Sequence, residues 1–160
     1  MRILKLTNSP IPILVDDEDY AELRLFAWRL LPGKGYVVRS VWSNGKSTLE
    51  YLHRRIMNAP KGMDVDHRDI SAFNNQKSNL RLATRSQNMA NSPRQSGHSK
   101  YKGVSKLNRP NLKKPWLSYI RVDYKMYYNG YYETEAEAAH VYNQFAEQIF
   151  GEFAYLNVID

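Results

Sequence analysis

The sequence predicts an α+β fold of short elements in two small domains, and three observations point there. Apolar and β-branched runs of strand length alternate with turn signals, of which Asn44-Gly45 is a hairpin signature. Two capping boxes, Thr84/Gln87 and Thr134/Glu137, mark helix starts. A stretch rich in Ser with one Pro and one Gly, SPRQSGHS over 92–99, reads as a linker. The 160 residues suffice for one ordinary domain or two small ones.

The elements follow in order. IPILV (11–15) reads as a strand. DDEDY opens a helix running to about Ala27, with Leu23, Leu25, Phe26 and Leu30 as its apolar residues. Gly33–Gly35 is a turn, Tyr36–Trp42 a strand, Ser47–Leu52 its return, and His53–Met57 a short helix ended by Pro60. Met63–His67 and Leu80–Ala83 are short strands around an Asn74-Asn75 loop, and a helix starts at Arg85 and stops before Pro93. Beyond the linker, Tyr101–Ser105, Trp116–Val122 and Lys125–Tyr132 read as strands, with Asn129-Gly130 either a turn or a bulge. The last helix carries Ala138, Val141, Tyr142, Phe145 and Ile149 as its core stripe and ends at Gly151. The resulting division is 1–50, 51–92, a linker at 93–99, and 100–160.

Composition narrows the function. The chain has no cysteine, which excludes disulfides, thiolate zinc sites and cysteine nucleophiles, and is compatible with a reducing, intracellular setting. Mean hydropathy is -0.62, and no run approaches a membrane span or a secretory signal. Net charge is +7, unevenly spread: residues 76–125 hold 12 Lys/Arg and one acid, Asp123. Tyr101, Trp116, Tyr119, Tyr124, Tyr127 and Tyr128 interleave with those cations, so the run belongs to a folded surface that meets a polyanion, most often nucleic acid.

The sharpest signal is Asp66-His67, then Asn79 twelve residues on and Asn88 nine further. Taken singly, His67 reads as a surface or core-edge histidine, Asn79 as a turn residue and Asn88 as a polar helix-face residue. Together they place a carboxylate and an imidazole at one end of a hairpin, with a helix able to return an amide. Such oxygens suit a hard cation, Mg²⁺ or Mn²⁺, and leave an imidazole to take a proton from water. Asn91 is an alternative to Asn88 one turn on; Asp64, alternating with Asp66, ranks behind it. His98 and His140 read as linker and helix surface, and His53 as a structural or phosphate-contact residue.

At these residues the chain resembles a known family. VDHRDISAFNNQKSNLRLATRSQNMAN, with its lead-in from about residue 51, resembles the HNH endonuclease core of the phage homing-endonuclease kind, in the variant whose last residue is Asn. The resemblance implies a ββα-metal (His-Me finger) fold. It implies His67 as general base, Asp66 and Asn88 as ligands of one divalent metal, and Asn79 as the brace of the loop that helps orient the histidine. It implies 5′-phosphate and 3′-OH products without a protein nucleophile. Arg68-Asp69 stands where many members have Asn-Gly, a departure that bears on loop conformation.

Residues 99–157 resemble the Apetala-type (ethylene-response-factor) DNA-binding domain through Tyr101-Lys102-Gly103-Val104, Trp116, Ile120-Arg121, Gly130-Tyr131-Tyr132, the Thr134–Ala139 helix start and Leu156-Asn157. That implies a three-stranded antiparallel sheet on one helix, with Lys102, Lys106, Arg109, Trp116, Tyr119 and Arg121 on DNA. Period two divides the middle strand: Tyr119 and Arg121 suit DNA if Ile120 packs on the helix, and Trp116 then reaches it only from the strand end or reads as core. The expected partner is double-stranded DNA, with no membrane and a monomer favoured. The expected function is a metal-dependent, site-preferring DNA endonuclease, cutting through residues 1–92 and binding through 93–160. The alternative is a DNA-binding regulator that has kept the scaffold without activity.

Overall fold

The computed structural model describes residues 1–33, 35–93 and 98–160, in two compact units, Met1–Thr84 and Arg85–Asp160. Lys34, in the expected turn, and residues 94–97 of the expected linker lie outside the described residues. The division falls before the helix at Arg85 rather than after it.

In the first unit, β1 (Arg2–Leu4) pairs antiparallel with β2 (Ile13–Val15), and α1 (Asp17–Leu23) follows. A three-stranded antiparallel sheet has the order β3 (Arg29–Leu30), β4 (Val37–Ser43), β5 (Lys46–Tyr51). Asn44 and Gly45 make its hairpin turn at positive φ, as a two-residue turn requires. Then come α2 (Leu52–Ile56) and the antiparallel ribbon β6 (Asp64–His67) with β7 (Leu80–Ala83). The core is Leu4, Ile13, Val15, Leu23, Trp28, Val37 and Leu52, with Phe73 from the β6–β7 loop packed on it.

The expected helix to Ala27 stops at Leu23. Trp28 accounts for it: its ring is fully buried and its indole N–H donates to the Leu23 carbonyl at 2.9 Å, so the chain must leave the helix and re-enter the core extended, as β3. Leu30 is therefore a strand residue and Leu25 is exposed, while Phe26 lies under the Arg39 guanidinium, 3.6 Å from its ring centroid. The edge strand β1 carried no pattern of its own, because three residues are too short for alternation to register.

In the second unit, α3 (Arg85–Ala90) precedes an antiparallel sheet of β8 (Val104–Lys106), β9 (Trp116–Val122) and β10 (Lys125–Tyr132), with β9 in the middle. The helix α4 (Glu135–Phe150) packs on one face. Its capping box is formed: Thr134 Oγ1 accepts from the Glu137 N–H, and the Glu137 carboxylate accepts from the Thr134 N–H. Gly151, at φ +52, caps the other end. The core stripe differs from the expected one. Ala138, Ala139, Tyr142, Ala146 and Phe150 are buried, while Phe145 and Ile149 are 39% and 45% exposed. Small alanines let the helix sit close to the sheet, and the larger apolar residues one position away face outward.

Ile120 packs with Ala90, Tyr142, Ala146 and Phe150, and Trp116 packs beside Tyr101, Val104, Ala138 and Ala139. Gly103 lies at φ +71, and a Cβ there would stand 1.9 Å from the Tyr142 ring. The C-terminal tail is tied down by Asn157. Its side chain exchanges two hydrogen bonds with the Lys102 backbone, and its backbone exchanges two with the Asn143 amide. No helix among the described residues is long and apolar enough to cross a membrane.

Candidate functional site

Asp66 and His67 end β6, and both are buried. Arg81, directly across on β7, donates from Nε to Asp66 Oδ2 at 2.7 Å and pairs with the same oxygen through Nη2. A guanidinium thus neutralises the carboxylate at a depth where an unpaired charge is costly.

The loop after His67 turns back at once, the Ile70 N–H donating to the His67 carbonyl at 2.9 Å. This turn holds Ile70 at φ +65, a conformation that costs a β-branched residue strain. Asn79 braces the far side. Its Oδ1 accepts from the Asp69 N–H at 3.1 Å, and its Nδ2 donates to Asp69 Oδ1 at 2.9 Å and the Asn74 carbonyl at 2.8 Å. Burial pushes the Asp69 carboxyl up, but hydrogen bonds from the Ser71 N–H, Asn79 and Asn74, and the nearby His67, outweigh it and leave the pKa below the ordinary value.

Beside His67 stands Asn75, a residue the sequence offered only as part of a loop. It is 1% exposed, and its Oδ1 lies 3.4 Å from His67 Nε2. Its Nδ2 donates to the Ala72 carbonyl at 3.0 Å, which fixes the amide so that Oδ1 faces the imidazole. An amide oxygen only accepts, so a hydrogen bond here makes Nε2 the donor, and in that tautomer Nδ1 is the basic nitrogen. The Asn75 backbone is held by β2, its N–H donating to the Leu14 carbonyl at 2.8 Å. Asp16 secures the next turn, accepting from Gln76 Nε2 and the Lys77 N–H. The acidic DDEDY segment thus holds the loop that positions His67.

Behind His67 lies His53, their ring centroids 5.4 Å apart in an edge contact, with Tyr36 and Tyr51 packed on His53 in turn. Burial, then the neighbouring His67 and Arg54, drive the His53 pKa down to about 3, so that ring is neutral. His67 is also lowered, by burial. Asn75, Asp69 and Asp66 oppose the shift without reversing it. A neutral histidine of fixed tautomer, beside a carboxylate, can accept a proton.

Asn88 lies on α3 in the second unit, half-buried, with Asn91 just past its end. Asp64 shares the Asp66 side of β6 by alternation. His98 and His140 are exposed. Among the described residues no cluster of three or more His, Cys, Asp or Glu is arranged to hold a metal.

The residues expected on DNA divide. Arg121 and Tyr119 lie on the sheet face away from α4, because Ile120 packs on the helix. Trp116 is on the helix side, half-buried, with Lys106 Nζ 5.3 Å from its ring centroid. Arg109 is exposed in the β8–β9 connection. Lys102 departs from the expectation. Its ammonium donates to the carbonyls of Met89, Ala90 and Ser92 at 3.1, 2.5 and 2.6 Å, using its three donors on the end of α3. Burial lowers it to about 8, which leaves it charged at neutral pH.

Residues 50–90 match the HNH endonuclease family. A protein of Acanthamoeba polyphaga mimivirus, named as an uncharacterized HNH endonuclease, is 41% identical over 107 residues, covering 63% of this chain and 50% of that relative. The chain thus aligns with about half the length of that relative. The stretch that carries Asp66, His67 and Asn79 is similar in sequence to the HNH endonucleases.

Proposed function

We propose that this chain is a metal-dependent endonuclease that hydrolyses phosphodiester bonds in duplex DNA. The observation that carries it is the buried His67, its Nε2 directed at Asn75 Oδ1, in the segment that matches the HNH endonucleases. Nδ1 takes the proton of a water whose oxygen attacks phosphorus; the bond to the 3′-oxygen breaks, leaving 5′-phosphate and 3′-OH ends. No side chain becomes covalently attached. Asn79 acts through the loop, holding Asp69 and Asn74 so that the turn after His67 keeps its shape.

The ligand assignment, Asp66 and Asn88, rests on the sequence pattern. The donor types, a carboxylate and an amide oxygen with no thiolate in the chain, suit a hard divalent ion, Mg²⁺ or Mn²⁺, which would share the Asp66 carboxylate with the Arg81 guanidinium. Such an ion, when bound, supplies charge stabilisation for the scissile phosphate and the leaving oxygen.

The second unit is read as the target-binding module, with Arg121, Lys106 and Arg109 exposed toward a polyanion. Trp116 and Lys102 serve its packing instead. A homing role, acting as a monomer on DNA inside a cell, accounts for joining such a module to a cutting one. A plasmid-relaxation assay tests the reading. Cleavage should require Mg²⁺ or Mn²⁺, stop in EDTA, and fall by roughly 10²–10⁴ in His67→Ala with DNA binding retained. Binding without cutting under every metal would instead identify a regulator.

A further inference from the structure

The sheet of the second unit has a face that α4 does not cover. Trp116, Ser118 and Ile120 point toward the helix side, so Leu117, Tyr119 and Arg121 point away, and the register sets them opposite Tyr131, Tyr128 and Met126. One inserted residue makes this face aromatic. Tyr128 and Tyr131 are three apart and in a regular strand would lie on opposite faces. The bulge at Asn129 shifts the register, so that Tyr128 opposes Tyr119, Tyr131 opposes Leu117, and both point away from the helix. The bulge is locked: Gly130 takes φ +125, where a Cβ would stand 2.9 Å from the Tyr132 hydroxyl, and that hydroxyl donates to the Asn129 carbonyl at 2.8 Å.

Three tyrosines therefore share this face, Tyr128 66% and Tyr131 52% exposed and Tyr119 half-buried, with Leu117 buried beneath them. Among the described residues none of the three rings stacks on another ring or carries a cation. The charge around them is segregated. Residues 100–132, which span the sheet, hold one acid and eight Lys/Arg, of which Lys100 pairs with Asp160, Lys102 closes α3 and Lys106 lies by Trp116; residues 133–160 hold six acids and no Lys/Arg. The occupant is thus a polyanion that also offers flat π surfaces. The cations of Arg121 and the β8–β9 connection disfavour a second copy of the same face. Paired DNA presents base edges and phosphates, while its base faces are hidden in the stack. Only unpaired bases offer those faces, and aromatic side chains beside a cationic groove are how such bases are held.

We propose that the Tyr119, Tyr128 and Tyr131 face binds unpaired bases of DNA by stacking, with Arg121 and the cations of the β8–β9 connection on the flanking phosphates. The choice of DNA rests on the proposed nuclease reading; the stacking does not.

The test uses the full chain in EDTA, so that binding is read without cleavage and a failure of the nuclease reading leaves the result standing. Two DNA probes of equal length are compared, one fully paired and one with a central bubble of unpaired thymidines, alongside an RNA single strand of the bubble sequence. The bubble should bind about tenfold or more tighter than the paired probe. Tyr128→Ala and Tyr131→Ala should each remove most of that preference. Tyr128→Phe and Tyr131→Phe should keep it, as should Tyr124→Ala at the exposed hairpin tip, off this face. A 2-aminopurine in the bubble should be quenched on binding the unmodified protein, which makes the readout independent of how any variant folds. Equal affinity for both DNA probes, bubble preference surviving both alanine variants, absence of quenching, or tighter binding of the RNA strand would each overturn the proposal.

Discussion

Burial suits His67 to the proposed role of base. Water stabilises an imidazolium, and a site that excludes water favours the neutral ring, so the His67 pKa lies below its ordinary value near 6.5. The proton-accepting form therefore dominates at neutral pH. Cleavage should be flat from pH 7 upward and fall only below about 6.5. Asn75 pulls the other way, since its oxygen favours the protonated ring. In Asn75→Ala the acidic limb of the pH–rate profile should move lower still, while the plateau drops by about 10–100-fold as the tautomer loses its anchor. A profile that keeps both its limb and its plateau would remove Asn75 from the mechanism. Ile70 gives an independent check on the same loop. A β-branched residue at φ +65 carries roughly 1–2 kcal/mol of strain. Ile70→Gly relieves it but loosens the unfolded chain, so it should be neutral to stabilising by about 1 kcal/mol in urea titration. Loss of stability would show that the exposed isoleucine side chain packs usefully.

At the scale of elements, the short helix α3 shows how a cation can serve packing while looking like a phosphate contact. Lys102 closes its end with three carbonyl contacts, and the Tyr155 N–H adds a fourth, to Ala90. Six residues make a marginal helix without such partners. Lys102→Met should cost about 1.5–3 kcal/mol of stability, measured by thermal melting, with DNA affinity lowered only in proportion to unfolding. A stable variant with weakened DNA binding would return Lys102 to the phosphate-contact role. Its sequence neighbourhood, basic and aromatic, carried no hint of this, because the partners of Lys102 lie ten to thirteen residues back in the chain. What did register were signals local in sequence: the Asn44-Gly45 turn, the Thr134 cap, and the strands of the second sheet to within a few residues. Signals that depend on the partner did not. The alanine face of α4 is invisible to a search for large apolar residues, and Trp28 ended α1 through a tertiary demand. In the candidate site, Asp66, His67 and Asn79 stood out by spacing. Asn75 and Arg81 did not, since their roles come from the fold of the loop and the strand register.

For the whole molecule, charge and aromatic surface gather on the sheet of the second unit, while the loop chemistry around His67 belongs to the first. Binding should therefore weaken steeply with salt, with a log–log slope of about 0.9 per phosphate neutralised, and Arg121→Ala should lower that slope by about one if its guanidinium meets a phosphate. An unchanged slope would place Arg121 on a base edge or off the DNA.

The position of α3 has a consequence for how such a protein is assembled from parts. A chain cut in the stretch 93–99 keeps the α3 sequence but removes Ile120, Tyr142, Ala146 and Phe150, against which Ala90 packs, together with Lys102 and Tyr155. Residues 1–92 alone should then show little helicity over 85–90 by hydrogen exchange, and should not cut. A cutting fragment would refute this. A recombination event that traded target-binding modules at the polar stretch would break the donor and the recipient alike. Any exchange that keeps α3 folded must carry it along with the sheet and helix it leans on, so on the proposed reading the cutting and binding parts would be exchanged as one piece.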